Sequence, residues 1–376
     1  MRVLYFHRDD SVHDRRFLDA LGGLPVKVIA LKLENRVELL PEWKATDNVG
    51  MVSWSGAGDG FGWHQKTRMI SDLKRIFQES HADVVHAGPV DLCAYLAACA
   101  GLKPLVSMSW GYDLLFNVEK NLLSRRRARF ALKNTTVLLD DCQAVSQKAG
   151  QYGFPSERIV TFPWGVDLQV YHPQDVKSSG YLPAKRERVV LLSTRQMEKQ
   201  YGCDVIVKAF IRAAGAEENL RLTMLGEGSQ KSRLMQQIST AGLDGRVEFA
   251  GCVPENEMVS YFHASDLYIS ASHSDGSSVS LLQAMACGLP PIVSDIPGNR
   301  EWVVAGENGW LFKDGESDQL SSLMIKTART PEVRATLGVA ARMTTVDRAD
   351  WKKNTPKLLD AYQLAINLYA GKGAIA

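Results

Sequence analysis

Short apolar runs alternate with longer segments of helical period along almost the whole chain. In the first half this pattern predicts strands at Val3–Phe6, Val26–Leu31, Val84–Ala87, Leu105–Ser109, Thr136–Leu139 and Ile159–Thr161. Helices are predicted between them at Arg15–Leu21, Lys66–Glu79, Leu92–Ala100 and Leu122–Leu132. The polar stretch His172–Arg188, with two prolines and a Ser-Ser-Gly, reads as a linker. Beyond it the rhythm restarts, with strands at Val189–Ser193, Leu220–Leu225, Val247–Phe249, Leu267–Ser270 and Pro291–Val293. Helical segments follow at Cys203–Ala214, Ser229–Ala241, Glu255–His263 and Ser278–Cys287. The expected fold class is α/β: two doubly wound parallel-sheet (Rossmann-like) domains, residues 1–172 and 188–350, facing across a cleft. A ligand belongs at the carboxyl ends of the strands.

One junction is richer in candidate chemistry than the others. The apolar run Leu267–Ile269 ends in a small polar loop, Ser270 to Ser277, and a helical pattern begins at once. Ser277 or Ser278 can cap that helix, whose apolar side holds Val279, Leu282 and Met285 or Ala286; Gly288 stops it. The amides of Ser278, Val279 and Ser280 then lie at a positive helix end, where a phosphate is readily held. A packing role is the plainer reading of such a loop, but polar residues flank the helix mouth on both sides. The junction is therefore read as a nucleotide-diphosphate site.

Composition narrows the classes. At 376 residues there is room for two cores. Lys plus Arg number 44 against 42 Asp plus Glu, which leaves no global field to gather nucleic acid or membranes. No apolar run reaches the ~18 residues of a spanning helix, and Met1–His7 reads as a first strand rather than a signal peptide. The six cysteines are scattered without a C-x-x-C pair, which argues against disulfides and a cysteine metal site. A soluble cytoplasmic protein without bound metal or other cofactor is the expectation.

Seven fragments, in order, resemble the nucleotide-sugar domain of retaining glycosyltransferases of the GT-B fold, family 4. They are Ser193-Thr-Arg195, Gly226-Glu-Gly228, Phe249-Ala-Gly251, Ala264-Ser-Asp266, Asp275–Gly288, Ser294–Glu301 and Gly306-Glu-Asn308-Gly309. The first half matches more loosely, through Val85-His86 and Trp110-Gly111-Tyr112-Asp113. The resemblance implies a nucleotide-diphosphate sugar as donor and a carbohydrate or glycolipid acceptor bound by the first domain. It also implies that the final helical segment, 351–370, packs back on that domain.

Roles follow residue by residue. The leaving diphosphate gains negative charge, which without a metal must be met by cations and amides. Arg195, with its bidentate fork, and Lys199 are candidates, although Lys199 sits in a segment one residue longer than the family pattern and both can be solvated loop charges. Gly226, Val253, Ser277, Ser278 and Val279 complete the donor side, with Val253 near the base. Where the family has two Glu residues, this chain has Asp275, by the donor sugar, and Gln283, by the ribose. Gln283 keeps an acceptor but loses the charge-assisted bond, a loss of ~1–2 kcal/mol. Glu301 contacts the donor or caps the segment after it, while Gly298 admits close backbone approach. On the acceptor side Trp110 replaces a His and offers a face for stacking. Asp113 becomes a base or hydroxyl-orienting group, or merely a helix cap. His86 faces the same crevice or is structural. Arg8 and His13, in the charged turn His7–Arg16, grip an anionic acceptor or form a surface turn. The cluster Ser124–Arg129 touches anionic lipid at the inner face of a membrane or a lipid-pyrophosphate acceptor, or, as the plainer reading, is a solvated helix face.

The reading is a metal-independent retaining glycosyltransferase of polysaccharide or glycolipid assembly. The rival is a catalytically impaired relative that scaffolds or activates a partner transferase, which the departures at Trp110, Asp275 and Gln283 favour. A sugar-nucleotide epimerase of the same fold needs carboxylates and histidines that cannot be placed. Gln283→Glu should keep or raise transfer activity in a donor-turnover assay; complete inactivation would reject the ribose assignment.

Overall fold

The computed structural model describes residues 1–34, 43–56, 58, 62–174 and 188–371. Most of the linker expected at His172–Arg188 lies outside these residues. The chain forms two compact units: Met1–Pro163 joined by the chain from Lys353 onward, and Trp164–Lys352.

The first unit is built on strands β1 (Arg2–His7), β2 (Lys27–Lys32), β3 (Val49–Met51), β4 (Val84–Ala87), β5 (Leu105–Met108), β6 (Val137–Asp140) and β7 (Ile159–Thr161). They form a parallel sheet in the order β3-β2-β1-β4-β5-β6-β7. Strands β4, β5 and β6 are buried at every position, because helices cover both faces of a parallel sheet. The helix Lys66–Ser80 shows how the sequence selects its face: Met69, Leu73 and Ile76, at helical spacing, are its buried residues. The helix Lys357–Tyr369 returns to this unit and buries Leu358, Ala361, Tyr362 and Ala365.

The second unit repeats the plan with β8 (Val189–Ser193), β9 (Leu220–Leu225), β10 (Val247–Gly251), β11 (Leu267–Ser270), β12 (Pro291–Ser294) and β13 (Trp310–Phe312). All neighbours are parallel, in the order β10-β9-β8-β11-β12-β13. Its core joins Leu191, Phe210, Leu222, Ile269, Ile292 and Phe312 beneath the helix Cys203–Ala216. The fold is thus two parallel-sheet Rossmann-like domains. Residues 164–172, read from the sequence with the first domain, pack in the second unit: Val166 donates to the Ala349 carbonyl at 2.8 Å and Tyr171 is buried. No described helix is long and apolar enough to cross a membrane.

His86, on β4, is fully buried, and its Nδ1 is paired with the Tyr362 hydroxyl at 2.7 Å. Tyr5, Phe17 and Tyr362 enclose the ring edge-on. Burial lowers its pKa to about 3, so the imidazole is neutral. The expectation that it faces a crevice is corrected: the returning helix covers it. Tyr362→Phe leaves a buried nitrogen without its partner and should cost about 1–3 kcal/mol, read from the urea midpoint. An unchanged midpoint would show that this bond does not tie the last helix down.

Candidate functional site

In the second unit the strand order reverses direction between β8 and β11, and the loops leaving these two strands flank the switch point where ligands of such sheets bind. Arg195 leaves the end of β8; Asp275 to Ser278 leave β11 and open the helix Val279–Ala286. The two loops meet through charge. Arg195 Nη2 lies 2.8 Å from Asp275 Oδ2, and Arg195 Nη1 donates to Ser278 Oγ at 2.9 Å. Ser280 Oγ lies 3.5 Å from the same nitrogen and 2.9 Å from the Tyr268 hydroxyl. The guanidinium carbon is 4.2 Å from the centre of the Tyr201 ring, so one face of the cation rests on an aromatic plate. Burial raises the Asp275 carboxyl, and the neighbouring Arg195 pulls it back.

Ser278 is the N-cap, but its side chain makes no capping bond to the helix. Its hydroxyl serves Arg195 instead, a correction to the expected cap. Helix geometry leaves the first-turn amides without intrahelical acceptors. A cation is thereby fixed beside a positive helix end, and Asp275 supplies the nearby negative charge. The Trp302 indole, donating to Ser277 Oγ at 3.0 Å, braces the loop from behind.

Glycines allow these loops to close. Gly226 has φ +99°, and a Cβ there would lie 3.1 Å from the Arg195 carbonyl oxygen. It therefore seats the loop that carries Arg195. At Gly298 a Cβ would fall 2.5 Å from the Gly276 carbonyl oxygen and 2.6 Å from that of Asp275. The close approach expected at Gly298 is made to the protein's own backbone. Glu198 ties the Arg195 loop to the next crossover by accepting from Ser229 N at 2.7 Å and Ser229 Oγ at 2.6 Å.

Other expected donor residues lie around this centre with less definition. Lys199 is exposed in the turn Lys199–Tyr201, whose Tyr201 carries the Arg195 contact. Val279 and Gln283 are half-buried on the helix, Val253 is half-buried after β10, and half-buried Glu301 offers its carbonyl to Arg348 at 2.8 Å. Sequence reasoning missed the side chains of Tyr201, Tyr268 and Ser280, although Ser280 was named for its amide; the only signal was that each lies within or beside a named segment.

In the first unit, half-buried Trp110 packs edge-on against Phe17 at 5.5 Å between ring centres, with exposed His13 at 5.8 Å. Asp113 is fully buried. Its Oδ2 accepts from Val90 N at 2.7 Å and its Oδ1 from Ser109 Oγ at 2.7 Å and Leu114 N at 3.1 Å. Burial, then the nearby Asp91, pushes its pKa up to about 7. Asp113 is the first residue of the segment Asp113–Asn117, whose cap position is Tyr112, so it is neither the expected cap nor an open base; its full burial among these partners corrects the acceptor-side reading. Arg8 likewise is not a waiting cation: Asp9 and Glu34 lie 3.8 and 3.7 Å from its Nε. Asp10 pairs with Lys32 at 2.7 Å, and buried Asp14 accepts from Ser11 and Tyr5. Arg8, Asp10 and Asp14 of the charged turn after β1 thus have partners within the first unit, some of them from β1 and β2 or just beyond.

Residues 178–344 match the family described as glycosyl transferases group 1. Over those residues, most of the second unit, the chain is similar to the group 1 glycosyl transferases. It is 24 % identical over 335 residues, 82 % of this chain and 77 % of the relative, to a D-inositol 3-phosphate glycosyltransferase of Pseudarthrobacter chlorophenolicus. To a GDP-mannose-dependent alpha-(1-6)-phosphatidylinositol monomannoside mannosyltransferase of Mycolicibacterium smegmatis it is 23 % identical, covering 85 % of this chain and 88 % of that one. The crystal structure of Anabaena HepE in complex with UDP matches with a TM-score of 0.77 at 17 % identity, over 96 % of this chain and 100 % of HepE. That likeness concerns the fold, which the two share as GT-B proteins.

Gly298→Ala should push the Asp275–Gly276 loop away from Arg195 and weaken nucleoside diphosphate binding at least about fivefold. Calorimetric titration with UDP and GDP measures it; wild-type affinity would show that the loop tolerates the methyl.

Proposed function

We propose that this protein is a group 1 glycosyl transferase, a retaining, metal-independent enzyme that moves a sugar from a nucleoside-diphosphate sugar to a hydroxyl acceptor in polysaccharide or glycolipid assembly. The observation that carries the proposal is the Arg195 guanidinium, held by Asp275 and Ser278 beside the start of the Val279–Ala286 helix. This site supplies its own positive charge, so a diphosphate meets one fixed cation and a set of amides that need no reorganisation. The relatives' names support a nucleotide-sugar donor in one case, GDP-mannose-dependent, and name inositol 3-phosphate in another; the HepE structure holds UDP.

In the proposed reaction the bond from the anomeric carbon to the β-phosphate oxygen breaks and one to the acceptor oxygen forms on the same face. The acceptor proton passes to the departing phosphate oxygen, so no protein base is required; Asp113 and His86 are both buried in structural bonds. Arg195 and the amides stabilise the charge left on the diphosphate. Asp275 holds Arg195 in place, Gln283 takes the ribose, Glu301 lies beside the sugar, and Trp110 stacks on the acceptor ring.

Arg195→Ala should weaken nucleoside diphosphate binding at least tenfold by calorimetry, about 1.4 kcal/mol or more; unchanged affinity rejects the assignment. Turnover of UDP- and GDP-sugars in the presence of a chelator, with the product anomer read by NMR, tests the remainder. An inverted product, or turnover abolished by the chelator, would overturn the mechanism.

A further inference from the structure

The first unit carries a surface that donor binding does not use. The helix Leu122–Asn134 packs inward through Ala128, Ala131 and Leu132. Its outward side presents Leu122, 71 % exposed, Leu123, 50 %, and Phe130, 43 %, interleaved with exposed Arg126, Arg129 and Lys133. The helix contains no Asp or Glu at all. Phe130 continues into an aromatic row, 5.7 Å from the Tyr95 ring, which is in turn 6.1 Å from Trp63. The Arg127 guanidinium lies 3.3 Å from the centre of the Trp63 ring.

Singly exposed leucines are ordinary on a protein surface. Two adjacent leucines, two exposed aromatic rings and a row of unopposed cations on one face are a different arrangement. Leucine side chains find no counterpart on a nucleic-acid backbone, whereas at a bilayer they enter the boundary between headgroups and acyl chains. Trp and Tyr rings favour that depth, and Arg and Lys reach the anionic headgroups above it. We propose that this face, centred on Leu122, Arg126, Arg129 and Phe130, docks on an anionic lipid bilayer. The proposal stands apart from the donor site and survives or fails without it.

Co-sedimentation of the full chain with vesicles tests it. Binding to phosphatidylcholine containing about a third phosphatidylglycerol should exceed binding to phosphatidylcholine alone by at least about tenfold and fall with rising salt. Arg126→Glu with Arg129→Glu should reduce that binding at least about tenfold. Leu122→Ser with Leu123→Ser should reduce it at least about threefold at constant salt, a loss that purely electrostatic adsorption would not show. All four side chains reach solvent, so both double variants should keep the wild-type melting temperature. Equal binding to the two vesicles, or wild-type binding by either variant, would overturn the proposal. So would a dimer seen by light scattering that the same substitutions dissolve, since a second copy would then own the face.

Discussion

A cation placed at the positive end of a helix is electrostatically unfavourable, and the second domain is organised around making that placement hold. Arg195 stays there because Asp275 neutralises it, Ser278 accepts from it and Tyr201 lies beneath it. With the guanidinium and carboxylate cancelling one another, the partial charge of the helix end is left over. A diphosphate brings the counter-charge that the arrangement lacks.

Much of this was legible in the order of residues, because the signals were local. Strands such as Val84–Ala87, Leu220–Leu225 and Leu267–Ser270 fall where the apolar runs are, since a parallel strand buried on both sides must be apolar throughout. Three of the elements that escaped notice lack that contrast. Val49–Met51 is a three-residue edge strand with exposed Gly50 and Met51, and Gln143–Gln151 is a polar helix containing glycine. Trp310–Phe312 is too short for any period to show. At the site, Arg195 and Ser278 could be found from their motifs, but not the fact that they touch, because 83 residues separate them.

The assignments of Asp113 and His86 to an open crevice failed for a common reason. Polar residues at strand ends were read as facing a crevice, yet sequence does not reveal what covers a strand end. His86 meets Tyr362 at a separation of 276 residues, and Asp113 bonds back to Val90 across 23. Both therefore became parts of the scaffold. Their chemistry was real, since buried polar groups must find partners; the partners were simply supplied by the protein.

The closing contribution of Tyr362 has a bearing on how the polypeptide is made. Residues 164–352 are continuous and can complete their own domain as soon as they leave the ribosome, whereas the earlier-made residues 1–163 wait for the helix Lys357–Tyr369, translated after that domain. Until then the imidazole of His86 has lost its lid and the strands beside it lack cover. The domain that is synthesised first is thus the last to be finished, and the nascent chain must protect an incomplete sheet throughout the translation of its neighbour.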